Sequence, residues 1–197
     1  TPTETIVIPA DCVRLIGKDS GATGTLIDFA DTSAASARCL YAHDRTGLLL
    51  RDLRVIRGLH GVWWRSVDSS SILRVEADSH GSVGILLDTG SPGGDSVLVA
   101  NSTANGNDYG FGLLGGTRCV LQGNAAWNNR TAAYWFGASS DNVISNNMAS
   151  APSGWLFHVT GSGINTYAGN VLYTTPANTI TSVYNGTDSS LTFTVLA

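Results

Sequence analysis

The chain has 197 residues, a net charge of −4 and 43% hydrophobic residues. That length fits one domain with a long apolar core. The acidic balance leaves no electrostatic footprint for nucleic acid, and no apolar run approaches the roughly 20 residues that cross a membrane as a helix. Cys12, Cys39 and Cys119 are odd in number and lack metal-ligand spacing, so they read as small buried or semi-buried residues, and no metal or cofactor is expected.

In chain order, Thr5–Ala10 and Val13–Gly17 are short apolar stretches that read as strands. Residues 18–38 are rich in Gly, Ala, Ser and Thr, and a looped-out segment is expected near Thr32 to Ala37. Ile27, Leu50 and Leu73 follow one another at 23 residues. Val62 and Trp64 precede Ile85 and Leu87 by the same 23. The step from Leu73 to Leu98 is 25, and the turn-rich stretch Gly90–Gly94 absorbs the difference.

Beyond it the period is explicit. Asn101, Asn124, Asn147 and Asn170 are each 23 apart, with Leu98, Leu121, Ile144 and Tyr167 three residues before them. Leu53 and Glu76 take the equivalent places upstream. Phe111, Tyr134 and Phe157 form an aromatic row, followed two residues on by Leu113, Phe136 and Val159. Self-similarity of this length marks a solenoid, and the alternating apolar residues give its elements strand periodicity. The predicted fold is an all-β parallel β-helix of about 23 residues per coil over residues 1–175. The four asparagines would stack as a ladder, each amide donating to one neighbour and accepting from the next. Residues 176–197 hold two alternating segments around Asn185-Gly186, a hairpin signal. They are expected to form a β-hairpin or capping strands that close the last coil or serve oligomerisation.

The run Val143-Ile144-Ser145-Asn146-Asn147, then Gly154 and Phe157-His158-Val159, resembles the repeats of right-handed parallel β-helix proteins of the pectin-lyase-like superfamily. The opening Thr5–Gly17 is similar to a first coil of such proteins. The resemblance covers roughly residues 5 to 175 and implies the right hand of the helix. It also implies a range of functions: polysaccharide lyases, glycoside hydrolases, epimerases, adhesins, and phage tailspikes and fibres. A fold alone does not choose among them.

If Val62 and Trp64 point inward, Trp63, Leu86, Gly112, Trp135 and His158 point outward. Indole faces on a long shallow surface suit sugar rings, and Gly112 is expected to leave a notch. Projected on 23 residues, Arg51 falls beside Arg74, Arg57 beside His80, and Arg65 beside Asp88. His60, Arg65, Asp68, His80 and Asp88 are therefore the candidate catalytic residues. An Arg and a His could stabilise an enolate and take the proton α to a uronate carboxyl. Trp63, Trp135, His158 and Arg65 are the candidate binding residues. A hydrolase would need two flanking carboxylates, and Asp52, Asp68, Glu76, Asp78 and Asp88 supply no pair that stands out by spacing.

Two functions follow as expectations. One is a structural, glycan-binding β-helix similar to phage-like spikes and fibres, a homotrimer at the virion surface or outside the cell that recognises a bacterial surface polysaccharide. The other is a carbohydrate-active enzyme of the pectin-lyase-like kind. Asn101, Asn129 and Asn185 also begin glycosylation sequons, and ladder membership would make Asn101 inaccessible.

Overall fold

A computed structural model describes residues 5–19, 24–29, 38–89, 95–150, 154–161 and 163–173, with the strands Val183–Asn185 and Phe193–Leu196. The expected loop at Thr32 to Ala37 and the turn at Gly90–Gly94 lie outside these residues.

Among the described residues, the strands coil into a parallel β-helix with two sheets. Sheet A has eight strands, from Ile6–Val7 through Arg38–Thr46, His60–Asp68, Val83–Asp88, Tyr109–Leu114, Ala132–Gly137 and Trp155–Thr160 to Val183–Asn185. Sheet B has thirteen. Its strands Leu49–Ile56 and Ser71–Asp78 run unbroken, whereas later coils divide into two short legs, such as Val120–Gln122 and Ala125–Trp127. Every described pairing between strands is parallel, so each strand rests on its counterpart one coil away.

The bend in sheet B has a local cause. Asp52, Arg74, Asn101, Gly123, Asn146 and Gly169 occupy one row, and all have positive φ, between 51° and 65°. Asn, Asp and Gly tolerate this left-handed conformation best. The next residue in each coil turns inward. That inward row reads Leu53, Val75, Ser102, Asn124, Asn147, Asn170: apolar first, then a hydroxyl, then amides.

The interior is a set of such rows. On sheet A, Leu40, Val62, Ile85, Phe111, Tyr134 and Phe157 are in register. Phe111 and Tyr134 stack at 5.1 Å, and Tyr134 and Phe157 at 4.8 Å. On sheet B, Leu50, Ile72, Val99, Leu121, Ile144 and Tyr167 face them. All twelve are buried, and burial of each large side chain contributes about 1.5–3 kcal/mol before the entropy of ordering is subtracted.

Three register expectations are corrected. Leu98 pairs with Val120, so Val99, not Leu98, joins the inward row. Asn101 is exposed at the bend, and Ser102 heads the amide row. The amide row therefore comprises Asn124, Asn147 and Asn170, each with no exposed surface. Upstream, Val75 pairs with Leu53 and Glu76 with Arg54, so neither Glu76 nor Arg74 sits where a strict 23-residue period puts it. The reason is common to all three: coils joined by 22 residues displace the row by one, and one residue moves a side chain to the opposite face.

Amides also line the other two corners. Asn107 Nδ2 donates to Asn129 Oδ1 at 3.2 Å, and Asn142 Nδ2 to Asn165 Oδ1 at 2.8 Å. Cys39 and Cys119 are buried; burial pushes the Cys119 thiol up to about 11. Cys12 is exposed instead, in a turn with φ 57°.

The C-terminal strands depart from the hairpin expectation. Val183–Asn185 lies parallel to Trp155–Thr160 in sheet A, and Phe193–Leu196 lies parallel to Asn170–Tyr173 in sheet B. Two strands of one coil belong to different sheets, so they extend the helix rather than fold back on each other.

Candidate functional site

The outer face of sheet A carries three side-chain rows fixed by strand register. The first runs Arg38, His60, Val83, Tyr109, Ala132, Trp155. The second runs Tyr41, Trp63, Leu86, Gly112, Trp135, His158. The third begins His43, Arg65, Asp88, Leu114. Trp63, Trp135 and His158 thus fall in one row and are half-buried.

Gly112 leaves no open notch. A Cβ there would lie 2.8 Å from Leu86 Cδ1, because Leu86 leans into the space and is only 5% exposed. The row therefore has an apolar centre and aromatic ends.

At one end, Trp63 is enclosed. Tyr41 and His60 meet it edge-on at 5.8 and 4.7 Å, and the Arg38 guanidinium lies 3.9 Å over its ring. Such a cation–π contact contributes about 0.5–1 kcal/mol and holds the indole in place. At the other end, Tyr109 and Trp135 lie 4.8 Å apart, and Trp155 and His158 3.8 Å apart. An open pocket of about 260 Å³ lies beside Trp155, lined also by Arg130, Thr131 and Gly154.

The candidate catalytic residues fall into separate groups, with His60 near His80 and Arg65 beside Asp88. His80 is 1% exposed and heads a corner ladder: its backbone N–H donates to Asn107 Oδ1 at 2.8 Å, and its Nε2 lies 3.2 Å from the Val55 carbonyl. It stacks with Gly58 and Asn107, not beside Arg57. Burial pulls its pKa down to about 4. Asp68 accepts from the Asp95 backbone N–H at 2.7 Å. His60 is packed beneath Trp63, and burial, then the Arg38 charge, lowers it to about 4. Arg65 and Asp88 do share a register position on the outer face.

The remaining carboxylates sit elsewhere and are engaged. Arg74 donates to both oxygens of Asp52, at 2.6 and 3.0 Å. Arg54 lies 2.8 Å from Asp78 and 3.5 Å from Glu76. Burial and the Asp78 charge raise the Glu76 carboxyl. Arg57 pairs with Asp28, and Arg118 with Asp95. These pairs brace successive coils. Among the described residues, no three His, Cys, Asp or Glu side chains gather as a metal site, and no helix is long and apolar enough to cross a membrane.

Arg38, Tyr41, Tyr109, Trp155 and the Arg130–Asp108 pair escaped the sequence reading. The period does contain part of the signal, since Tyr109 and Trp155 are 46 residues apart, two repeats.

A family model described as a right handed beta helix region matches residues 21–195. The chain belongs to this right-handed β-helix family, which fixes the hand of its coil. No curated protein and no solved structure matches it.

Proposed function

We propose that this protein is a structural, glycan-binding β-helix of the kind found in phage-like spikes and fibres, and that it recognises a bacterial surface polysaccharide through the outer face of sheet A. The observation that carries the reading is the register row holding Trp63 and Trp135, flanked by Tyr109 and Trp155. These rings are half-buried, so their orientation is set before a ligand arrives and little entropy is lost on binding. Aromatic faces take the apolar C–H side of a sugar ring while hydroxyls stay wet. A homotrimer at a virion or cell surface is part of this proposal. The strands Val183–Asn185 and Phe193–Leu196 then present the last coil to neighbouring subunits.

The enzyme reading keeps one specific support, the Arg65–Asp88 pair of register neighbours next to Trp63. The two readings separate by mutation. Trp135→Ala should abolish polysaccharide binding while Asp88→Ala leaves it intact. Depolymerisation by the native protein, lost in Asp88→Ala, would replace the binding reading with the enzyme.

A further inference from the structure

We infer that the pocket beside Trp155 is a subsite for a neutral pyranose unit, stacked on the Trp155 indole and hydrogen-bonded by Arg130 and Thr131, with Asp108 holding the arginine in place. This rests on the glycan-binding reading of sheet A and adds the chemical class of one bound unit.

The pocket is open and has one aromatic wall. Trp155 supplies one wall and is held by His158 at 3.8 Å. Gly154 packs tightly against the neighbouring coil, where a Cβ would run into the Thr131 carbonyl. The 260 Å³ volume suits one ring more than an extended chain.

Its polar groups are mixed in character. Arg130 Nε donates to Asp108 Oδ1 at 2.6 Å, and the two side chains are 60% and 35% exposed. Within the pocket the guanidinium keeps further N–H donors and the Thr131 hydroxyl both donates and accepts. A pair of adjacent ring hydroxyls offers the complementary mixture.

Charge argues for a neutral sugar. The Arg130 charge is matched by Asp108, and a uronate carboxylate would have to compete for the guanidinium or lie beside a like charge. Burial lowers the His158 pKa, so its imidazole is uncharged at neutral pH and adds no cation.

The test is an array of neutral hexose oligosaccharides beside uronate- and sialate-containing ones. It is probed with the full chain and with Trp155→Ala, Trp155→Phe, Arg130→Ala and Trp63→Ala. Circular dichroism checks that each variant is folded. The expected result is binding to neutral oligosaccharides, weakened about tenfold or more by Trp155→Ala and several-fold by Arg130→Ala, and largely kept by Trp155→Phe. Arg130 is mostly exposed, so its variant decides the matter if Trp155→Ala fails to fold. Binding confined to acidic glycans would overturn the neutral-sugar subsite and leave the wider reading standing. So would neutral binding that ignores Trp155 and Arg130 but needs Trp63. An array on which the native protein binds nothing would overturn both.

Discussion

Asn124 donates from Nδ2 to Asn147 Oδ1 at 3.1 Å, and the same oxygen accepts the Asn124 backbone N–H at 2.9 Å. One amide oxygen thus answers two buried donors of the coil next to it. Asn147 repeats the arrangement with Asn170, at 3.1 and 3.0 Å. Each Nδ2 also reaches a backbone carbonyl, Val99 for Asn124 and Leu121 for Asn147. The bend between the two legs of sheet B exposes its outer residues but buries the asparagine side chains behind it, and these amides satisfy backbone groups that water does not reach.

Asn147→Ala should therefore be severe. It strips the acceptor from the Asn124 amides and a donor from the Leu121 carbonyl, and each buried orphan costs about 1–3 kcal/mol. A loss above about 3 kcal/mol in chemical denaturation is expected. Asn101→Gly should do the reverse or nothing. Asn101 is exposed with φ 52°, and its counterparts Gly123 and Gly169 already hold glycine. A change within about 1 kcal/mol, on the stabilising side, is expected. Equal damage from both would contradict the assignment of Ser102 to the row.

Acid should weaken the fold through His60 and His80. Each has a folded pKa of about 4 against an ordinary value of 6.5. Between those values the unfolded chain binds protons that the folded chain refuses. The stability is fully present above pH 6.5 and is lost as pH falls toward 4, on the order of 3 kcal/mol per histidine. Burial is the main cause in both; the Arg38 charge adds to it at His60, the His60 charge adds to it at His80, and backbone hydrogen bonds only partly offset it at His80. His80→Asn would continue the Asn107–Asn129 ladder with a group that does not titrate. Denaturation midpoints followed from pH 7 to 4 should fall less steeply in that variant. An unchanged pH slope would show that His80 is not the group responsible.

Gly110→Ala should destabilise the stack. A Cβ at this position would lie 2.5 Å from the Ala133 carbonyl oxygen and 2.8 Å from Asn129 Nδ2. Backbone and a corner ladder would both have to move, at the upper end of the overpacking range, about 3 kcal/mol. Thermal unfolding of the variant checks this, and an unshifted midpoint would mean that the coils separate easily there.

Much of the fold was legible because stacked coils repeat the same environment. Phe111, Tyr134 and Phe157 share one packing problem, so the same residue type recurs at the coil length. The outward row of Trp63, Trp135 and His158 was legible for the same reason. What misled was the asparagine. The bend position favours Asn for its positive φ, and the next position favours Asn for its amide, as Asn146 and Asn147 show side by side. Residue type alone cannot tell the two positions apart, so a 22-residue coil passed for a 23-residue one at Asn101. The same slip in the earlier coils placed Arg51 beside Arg74. In the structure Arg51 pairs with Leu73, and Arg74 is bonded to Asp52. Ion pairs such as Arg130–Asp108 depend on turn geometry, which hydrophobic spacing does not carry. His80 looked like chemistry because the 23-residue projection put it beside Arg57, yet it fills a place that asparagine fills in the next two coils.

The most direct test of the central claim incubates the purified protein with acidic and neutral bacterial surface polysaccharides and follows bound fraction and polymer length together. The glycan-binding account predicts retention of at least one polymer at unchanged length, lost on Trp135→Ala. Shortened polymer chains, or no retention by the native protein across the panel, would contradict it.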